Sequence, residues 1–270
     1  KAEELFFTSC GTEGDNWAIQ LAVHLNRHKG KHIITTSIEH SAVLEPIKKL
    51  ETQGYEVTYL DPDAKGRVTL TDLEAALRPD TVLVAMMLVN NETGCVFPVQ
   101  ETAALLRERK SRALLHCDAV QGFLKVEFTP AKLGVDFLAL SAHKIHAPKG
   151  IGALYLRKGY HIEPPYLGGK QEQGLRPGTE NLAYAAGFAK AVELLRPTQN
   201  ARFEKASAQN AWLRQQIAAR PGFVLNSPPL ECCSPYILNF SIPGLRSETV
   251  LHYLELKKQV YISSASACGK

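Results

Sequence analysis

Short apolar runs with little polar alternation, each followed by an amphipathic stretch, restrict this chain to a small set of folds. The runs are HIITTS (32–37), YEVTYL (55–60), TVLVAMMLV (81–89), ALLHC (113–117), the segment 136–141 and GALYL (152–156), and FFTS near the start is strand-like too. A strand apolar on both faces has to be covered on both faces, which is the signature of a mainly parallel sheet between helices. The intervening stretches 17–25, 43–52, 70–78 and 99–110 carry helical periodicity and supply that cover. The predicted class is therefore α/β. Pro and Gly clusters after residue 158 end the alternation, and a helix over 181–195 leads into a shorter α+β region. The expected division is a large domain over 1–200 and part of a smaller domain over 201–270.

Composition narrows the function classes. With 270 residues, 45% of them hydrophobic and 21% charged, the chain can bury a substantial core. Its net charge of +4 is spread along the sequence rather than massed, which argues against nucleic acid. No apolar run reaches the length of a membrane span, so no membrane association is expected. Cys10, Cys95, Cys117, Cys232, Cys233 and Cys268 show neither metal-ligand spacing nor a dense disulfide framework. Reduced thiols in a cytoplasmic enzyme without a metal fit this usage. The sequence starts at Lys1 without a methionine, which leaves a targeting segment upstream open.

Ligands of such sheets sit beyond the carboxyl ends of the strands. Four of those ends, and the turn after FFTS, carry chemistry. Thr8 to Asp15, reading TSCGTEGD, precedes a periodic helix. Thr12 with Asp15 fits a capping box, and free amides at the helix start favour a phosphate. An ordinary capped helix is the bland alternative. His40 follows the run 32–37 and can lie flat on a planar ligand or simply sit near a cap. Asn90-Asn91-Glu92-Thr93-Gly94 offers an amide to a ring oxygen, although turn chemistry alone explains it. Asp118 can pair with a protonated pyridine nitrogen or cap a helix. Ser141-Ala142-His143-Lys144 places a lysine at the mouth of a buried strand, where loss of solvent favours the neutral, nucleophilic amine. A dinucleotide fold fares worse, because the first strand-helix turn has no G-x-G-x-x-G run.

Taken together, FTSCGTEGDN, TSIEHSAVLEP, LVNNETG, HCDAVQ, SAHKIHAPKGIGALYLRKG, GLRPGTEN and SSASAC resemble the cysteine desulfurases of the NifS/IscS group. That group lies within the class V aminotransferase superfamily of fold type I pyridoxal phosphate enzymes, and the motifs span nearly the whole chain. The resemblance implies that Lys144 forms the internal aldimine, His40 stacks on the ring and Asp118 pairs with the ring nitrogen. It further implies that Asn91 and Gln121 contact the phenolic oxygen while Gly11, Thr12, Ser141 and His143 hold the phosphate. Thr179 matches a threonine that reaches the phosphate of a partner subunit, which implies a homodimer.

Cys268, within Ser263 to Cys268, matches the family's catalytic cysteine. The implied reaction takes sulfur from L-cysteine, releases L-alanine and leaves a persulfide on Cys268 for an acceptor such as an iron-sulfur scaffold. Ala265 stands where the family's loop usually has glycine, and Cys10-Gly11 varies the phosphate turn. The chain begins after the family's amino-terminal segment and stops two residues beyond Cys268, short of the arginine that binds the substrate carboxylate in the family. Another class V enzyme, an aminotransferase or a selenocysteine lyase, and an inactive truncated fragment are the competing expectations. Cys117, Cys232 and Cys233 have no role in this reading.

Overall fold

The computed structural model describes residues 1–264. Its centre is a sheet of seven strands: β1 (Leu5–Thr8), β2 (His32–Thr36), β3 (Glu56–Leu60), β4 (Thr81–Ala85), β5 (Leu114–Asp118), β6 (Phe137–Ser141) and β7 (Gly152–Leu156), in the order β1-β7-β6-β5-β4-β2-β3. Only β7 runs against its neighbours, pairing antiparallel with both β1 and β6. The parallel pairs β2·β3, β2·β4, β4·β5 and β5·β6 complete it. The helices are α1 (Gly11–Leu25), α2 (Ser41–Glu51), α3 (Leu70–Ala76), α4 (Val99–Glu108), α5 (Pro130–Leu133), α6 (Leu182–Leu195), α7 (Gln199–Ala218) and α8 (Ser247–Lys258). A two-stranded antiparallel ribbon, β8 (Val224–Leu225) with β9 (Phe240–Ser241), follows α7.

Two apolar clusters explain the continuous hydrophobicity of the central strands. On one face, Trp17, Ile19 and Leu21 of α1 and Val43 and Ile47 of α2 pack on Ile33, Leu83, Leu114 and Phe137. On the other, Leu73 of α3, Ala103 and Leu106 of α4, Leu133 of α5 and Phe188 of α6 pack on Ile34, Val84, Leu115 and Leu138. Alternate residues of each strand serve alternate faces, so the sheet has no wet side. Residues 114, 116 and 118 of β5 share the α1 face, which decides what lies beneath Asp118.

Most expected elements are present, with informative differences. The run 81–89 is a strand only to Ala85, although Met86 and Leu88 still donate to His116 and Asp118 carbonyls before Val89 pairs with Val96. The expected capping box at Thr12 and Asp15 is not formed. Helix α1 starts earlier, with Cys10 at its N-cap and no side-chain cap bond, so Asp15 falls a full turn inside. There it is buried among the apolar residues of that helix.

Candidate functional site

The carboxyl ends of β1, β2, β4, β5 and β6 converge on one cavity of about 320 Å3. Its wall includes Gly11 and Thr12 at the start of α1, His40, Asn91, Asp118, Gln121, Ser141, His143 and Lys144. Every expected cofactor-binding position except Thr179 is therefore in one place. Thr179 is exposed and lies in a separate groove with Phe7, Glu172 and Arg176. Cys268 lies outside the described residues.

Local structure fixes each group for a stated reason. His40 is the N-cap of α2, and its Nδ1 accepts the Ala42 amide at 3.1 Å, which places the ring proton on Nε2 and holds the ring at the cavity wall. In the Asn90–Gly94 turn the labour is divided. Asn90 Oδ1 accepts from the amides of Glu92 and Thr93, while Asn91 is left to line the cavity. Gly94, at φ 78°, closes that turn, and a Cβ there would lie 3.1 Å from Ile237. Ser141 ends β6, its hydroxyl hydrogen-bonds His143 Nδ1 at 2.8 Å, and a 3-10 turn over Ala142–Ile145 carries Lys144, half-buried, into the wall.

The helix start of α1 is shaped for close approach. A Cβ on Gly11 would come within 2.8 Å of Val120 Cγ2, so glycine keeps the first amides open to the cavity. On Gly152 a Cβ would lie 2.6 Å from the Leu140 carbonyl and 2.7 Å from Cys10, so β7 can press directly on the turn that leads into α1. Arg176 clamps Glu13 at 2.8 Å and pins the loop after β7 to the same helix.

A group of buried ionisable side chains gathers at the cavity floor, with Asp118 and Asp15 lining it. Asp118 accepts the Val120 amide on Oδ1 at 2.8 Å. Burial pushes its carboxyl up to about 7, and the neighbouring Asp15 adds to the rise. Asp15 and His116 are both buried, with Oδ1 and Nε2 2.9 Å apart. Loss of solvent drives Asp15 up and His116 down to about 4, so the pair holds one proton and no net charge. Glu39, also raised by burial, accepts from the Met87 amide at 2.8 Å and from Thr36. A cationic ring nitrogen against Asp118 would relieve this excess of carboxyls.

Sequence reasoning gave Asp15 a capping role and passed over Lys125. The signal for Asp15 was its spacing: Gly11, Gly14, Asp15, Ala18 and Ala22 share one buried face of α1. Lys125 Nζ donates to Gln121 Oε1 at 2.9 Å, which turns the Gln121 amide nitrogen outward as a donor. Burial, and then the nearby Lys144, lower Lys125 to about 8. Solvent loss together with Lys144, Lys149 and Lys125 also lowers His143. These surroundings suit an anion.

The state of Asp118 has a measurable consequence in the cofactor-free protein. A carboxyl raised on folding stabilises below its unfolded value, and that contribution is lost as pH rises through the folded one. The rise from 3.8 to about 7, at about 1.4 kcal/mol per tenfold, corresponds to roughly 4 kcal/mol. Denaturant melts of wild type and Asp118→Asn across pH 4 to 8 should show wild type losing ground to the variant as pH increases. A pH-independent difference would refute the buried, protonated carboxyl.

No helix among the described residues is long and apolar enough to cross a membrane, and no metal-binding group of His, Cys, Asp or Glu occurs among them. The class-V aminotransferase family model matches residues 1–270. A cysteine desulfurase named IscS from Dictyoglomus turgidum is 41% identical over 269 residues, covering 100% of this chain and 68% of the relative. A solved NifS-like protein superposes with TM-score 0.89 at 37% identity, covering 98% of this chain and 72% of that one. A solved SspA in complex with cysteine does so with TM-score 0.82 at 33% identity over 99% of this chain and 73% of that one. The chain thus spans about two thirds of the length of its curated relative. With this fold, this cavity and these likenesses, the chain belongs to the class-V aminotransferase family and, within it, to the cysteine desulfurases of the NifS/IscS group, built on the type I fold of pyridoxal phosphate enzymes.

Proposed function

We propose that the chain uses pyridoxal 5'-phosphate to remove sulfur from L-cysteine, giving L-alanine and a persulfide on Cys268. The observation that carries this reading is the meeting of Lys144, Asp118, His40 and the amino end of α1 around one cavity. The residues present fit the cofactor. Gly11 leaves the helix amides open, Ser141 and His143 stand beside them, and a buried carboxyl lies among the other lining residues. When bound, pyridoxal phosphate supplies a carbonyl carbon for an amine and a protonated ring that accepts electron density.

Each side chain then has a task of its own. Lys144 Nζ would hold the cofactor's carbonyl carbon and, when free, would take up and give back a proton beside it. The Asp118 carboxylate would hold a protonated ring nitrogen, and that positive partner would favour its ionised form. His40, held by Ala42, covers one ring face. Asn91 and Gln121 donate to the phenolic oxygen, with Lys125 setting the orientation of Gln121. The amides at Gly11 and Thr12, the Ser141 hydroxyl and His143 bind the phosphate. The Cys268 thiolate would attack the substrate sulfur, the carbon–sulfur bond would break with its electron pair left on carbon, and a proton held by Lys144 Nζ would complete alanine while the persulfide stays on Cys268.

In the same reading two chains pair. Thr179 stands exposed outside its own cavity, and Leu182, 75% exposed, lines the same groove with apolar surface a partner would cover. A cytoplasmic location, a sulfur acceptor such as an iron-sulfur scaffold, and a division near residue 200 complete the proposal. The deciding experiment supplies the purified chain with pyridoxal phosphate and L-cysteine and counts alanine against protein-bound persulfide. Equal amounts in a single turnover support desulfuration. Amino-group transfer to a keto acid without sulfur release, or action on selenocysteine alone, would replace it with one of the other class V activities.

A further inference from the structure

Three thiols that the proposed reaction leaves unused meet where the Asn90–Gly94 turn touches the segment between α7 and β9. Cys95 and Cys233 face each other as an antiparallel bridge pair. The flanking bonds, Val96 N to the Cys232 carbonyl at 2.9 Å and Ser234 N to the Gly94 carbonyl at 2.8 Å, enclose the pair without engaging either cysteine's own amide or carbonyl across the bridge. This is the non-hydrogen-bonded position of an antiparallel ladder, in which opposed Cα atoms approach to about 4.5 Å and the side chains share one face. A disulfide accepts Cα separations of about 4.4–6.8 Å, so the backbone already satisfies its main requirement. The nearest acceptors of both thiols are backbone carbonyls, at 3.8 Å for Cys95 (Val96) and 3.3 and 3.8 Å for Cys233 (Pro228 and Thr93). Such weak bonds oppose rearrangement little.

We propose that Cys95 and Cys233 form a covalent modification site, a dithiol that closes to an intrachain disulfide on meeting a low-molecular-weight disulfide oxidant of the glutathione class. One thiolate attacks a sulfur of the oxidant and expels one small thiolate. The second protein thiolate then attacks the mixed disulfide, forming the bond from Cys95 to Cys233 and expelling the other. The two protons lost by the cysteines leave with the two reduced small thiols, so the oxidant gains the electron pair that the protein gives up. Both cysteines are buried, and burial pushes both thiols up, Cys95 to about 12, so closure follows local opening and is slow. The bond would tie the turn that presents Asn91 to the segment after α7. Because it spans residues 95 to 233, it would restrict the unfolded chain strongly.

Cys232 provides the internal control. It is half-exposed and lies beside the Arg67 guanidinium, yet its place next to Cys233 offers only a strained vicinal ring. The test treats the complete, cofactor-loaded chain with oxidised glutathione, blocks remaining thiols with iodoacetamide, and fragments the digested peptides in a mass spectrometer. The expected product is a Cys95–Cys233 linkage lighter by two hydrogens, present in wild type and in Cys232→Ser, with Tm raised by roughly 5–10 °C over the reduced protein. The wild-type map decides by itself if the variant fails to fold. A Cys232–Cys233 or Cys95–Cys232 linkage, persistent glutathione adducts on Cys95 or Cys233, or alkylation of both after unfolding would overturn the site. So would a Cys95–Cys233 bond that lowers Tm.

Discussion

Alanine in place of Lys144 is expected to abolish the visible absorbance of the lysine-bound cofactor and to cut alanine formation from L-cysteine by at least about a thousandfold. The expected size of the effect follows from the two duties that the proposed function gives one nitrogen: covalent attachment of the cofactor and proton movement. Stability should change little. Lys144 is half-buried on a 3-10 turn whose backbone is held independently by the bond from Ala142 to the Ile151 carbonyl. The cofactor should still bind noncovalently, because the expected ring contacts of His40, Asn91, Asp118 and Gln121 and the phosphate contacts of Gly11 and Thr12 come from other strand ends, and the backbone that carries Ser141 and His143 is unchanged. Lys144→Arg separates the two parts of the argument, since it keeps a cation beside Lys125 but cannot bond the cofactor. Full absorbance and turnover in either variant would mean that another amine serves, and Lys125, buried nearby and pushed down to about 8, is the one to examine first.

The fold was legible because burial wrote itself into the sequence twice over. Strands such as β4 and β6 are apolar without interruption, and helices such as α2 and α4 carry one apolar face each. What was not legible was direction. GALYL reads the same whether β7 runs with the sheet or against it, and its antiparallel sense follows from the short connection after Lys144, which leaves no room for a crossover helix. The end of β4 was also unreadable. MMLV continues the apolar pattern because those residues stay buried, although the chain there has left the regular ladder for bonds to β5 carbonyls.

Within the site, the individual strand-end residues were readable but their support was not. Asn91 could be named because turn residues at a strand end are few, yet only the structure separates it from Asn90, which consumes its own side chain in closing the turn. Asp118 could be named for its place at the end of β5. Its raised carboxyl, however, comes from burial first and then from Asp15 of another element, packed against the sheet face that residues 114, 116 and 118 share. Thr12 and Asp15 matched a local cap pattern, and tertiary packing won: the α1 face that carries Gly11, Gly14 and Ala18 had to be buried, and Asp15 went in with it, paired to His116.

Serine at position 268 should leave cofactor loading and absorbance intact while lowering alanine formation by at least about a hundredfold and removing the chain's persulfide. Oxygen and sulfur differ little in size here but greatly in chemistry. A thiolate is a strong nucleophile toward divalent sulfur and forms a bond to it, whereas a serine hydroxyl stays protonated and cannot hold the transferred sulfur. The cavity supplies its own competing hypothesis. Cys10 is half-exposed, sits at the N-cap of α1 and, among the described residues, is the cysteine that lines the cavity, beside the expected phosphate site. If Cys10 received the sulfur, the added mass would appear on its peptide, and Cys10→Ser rather than Cys268→Ser would stop the reaction. The expected pattern is the reverse. Cys10 is fixed at a helix start, beside the residues assigned to the phosphate, and a thiol held there serves the wrong end of the cofactor, whereas a sulfur carrier has to reach both the substrate and an acceptor outside the cavity.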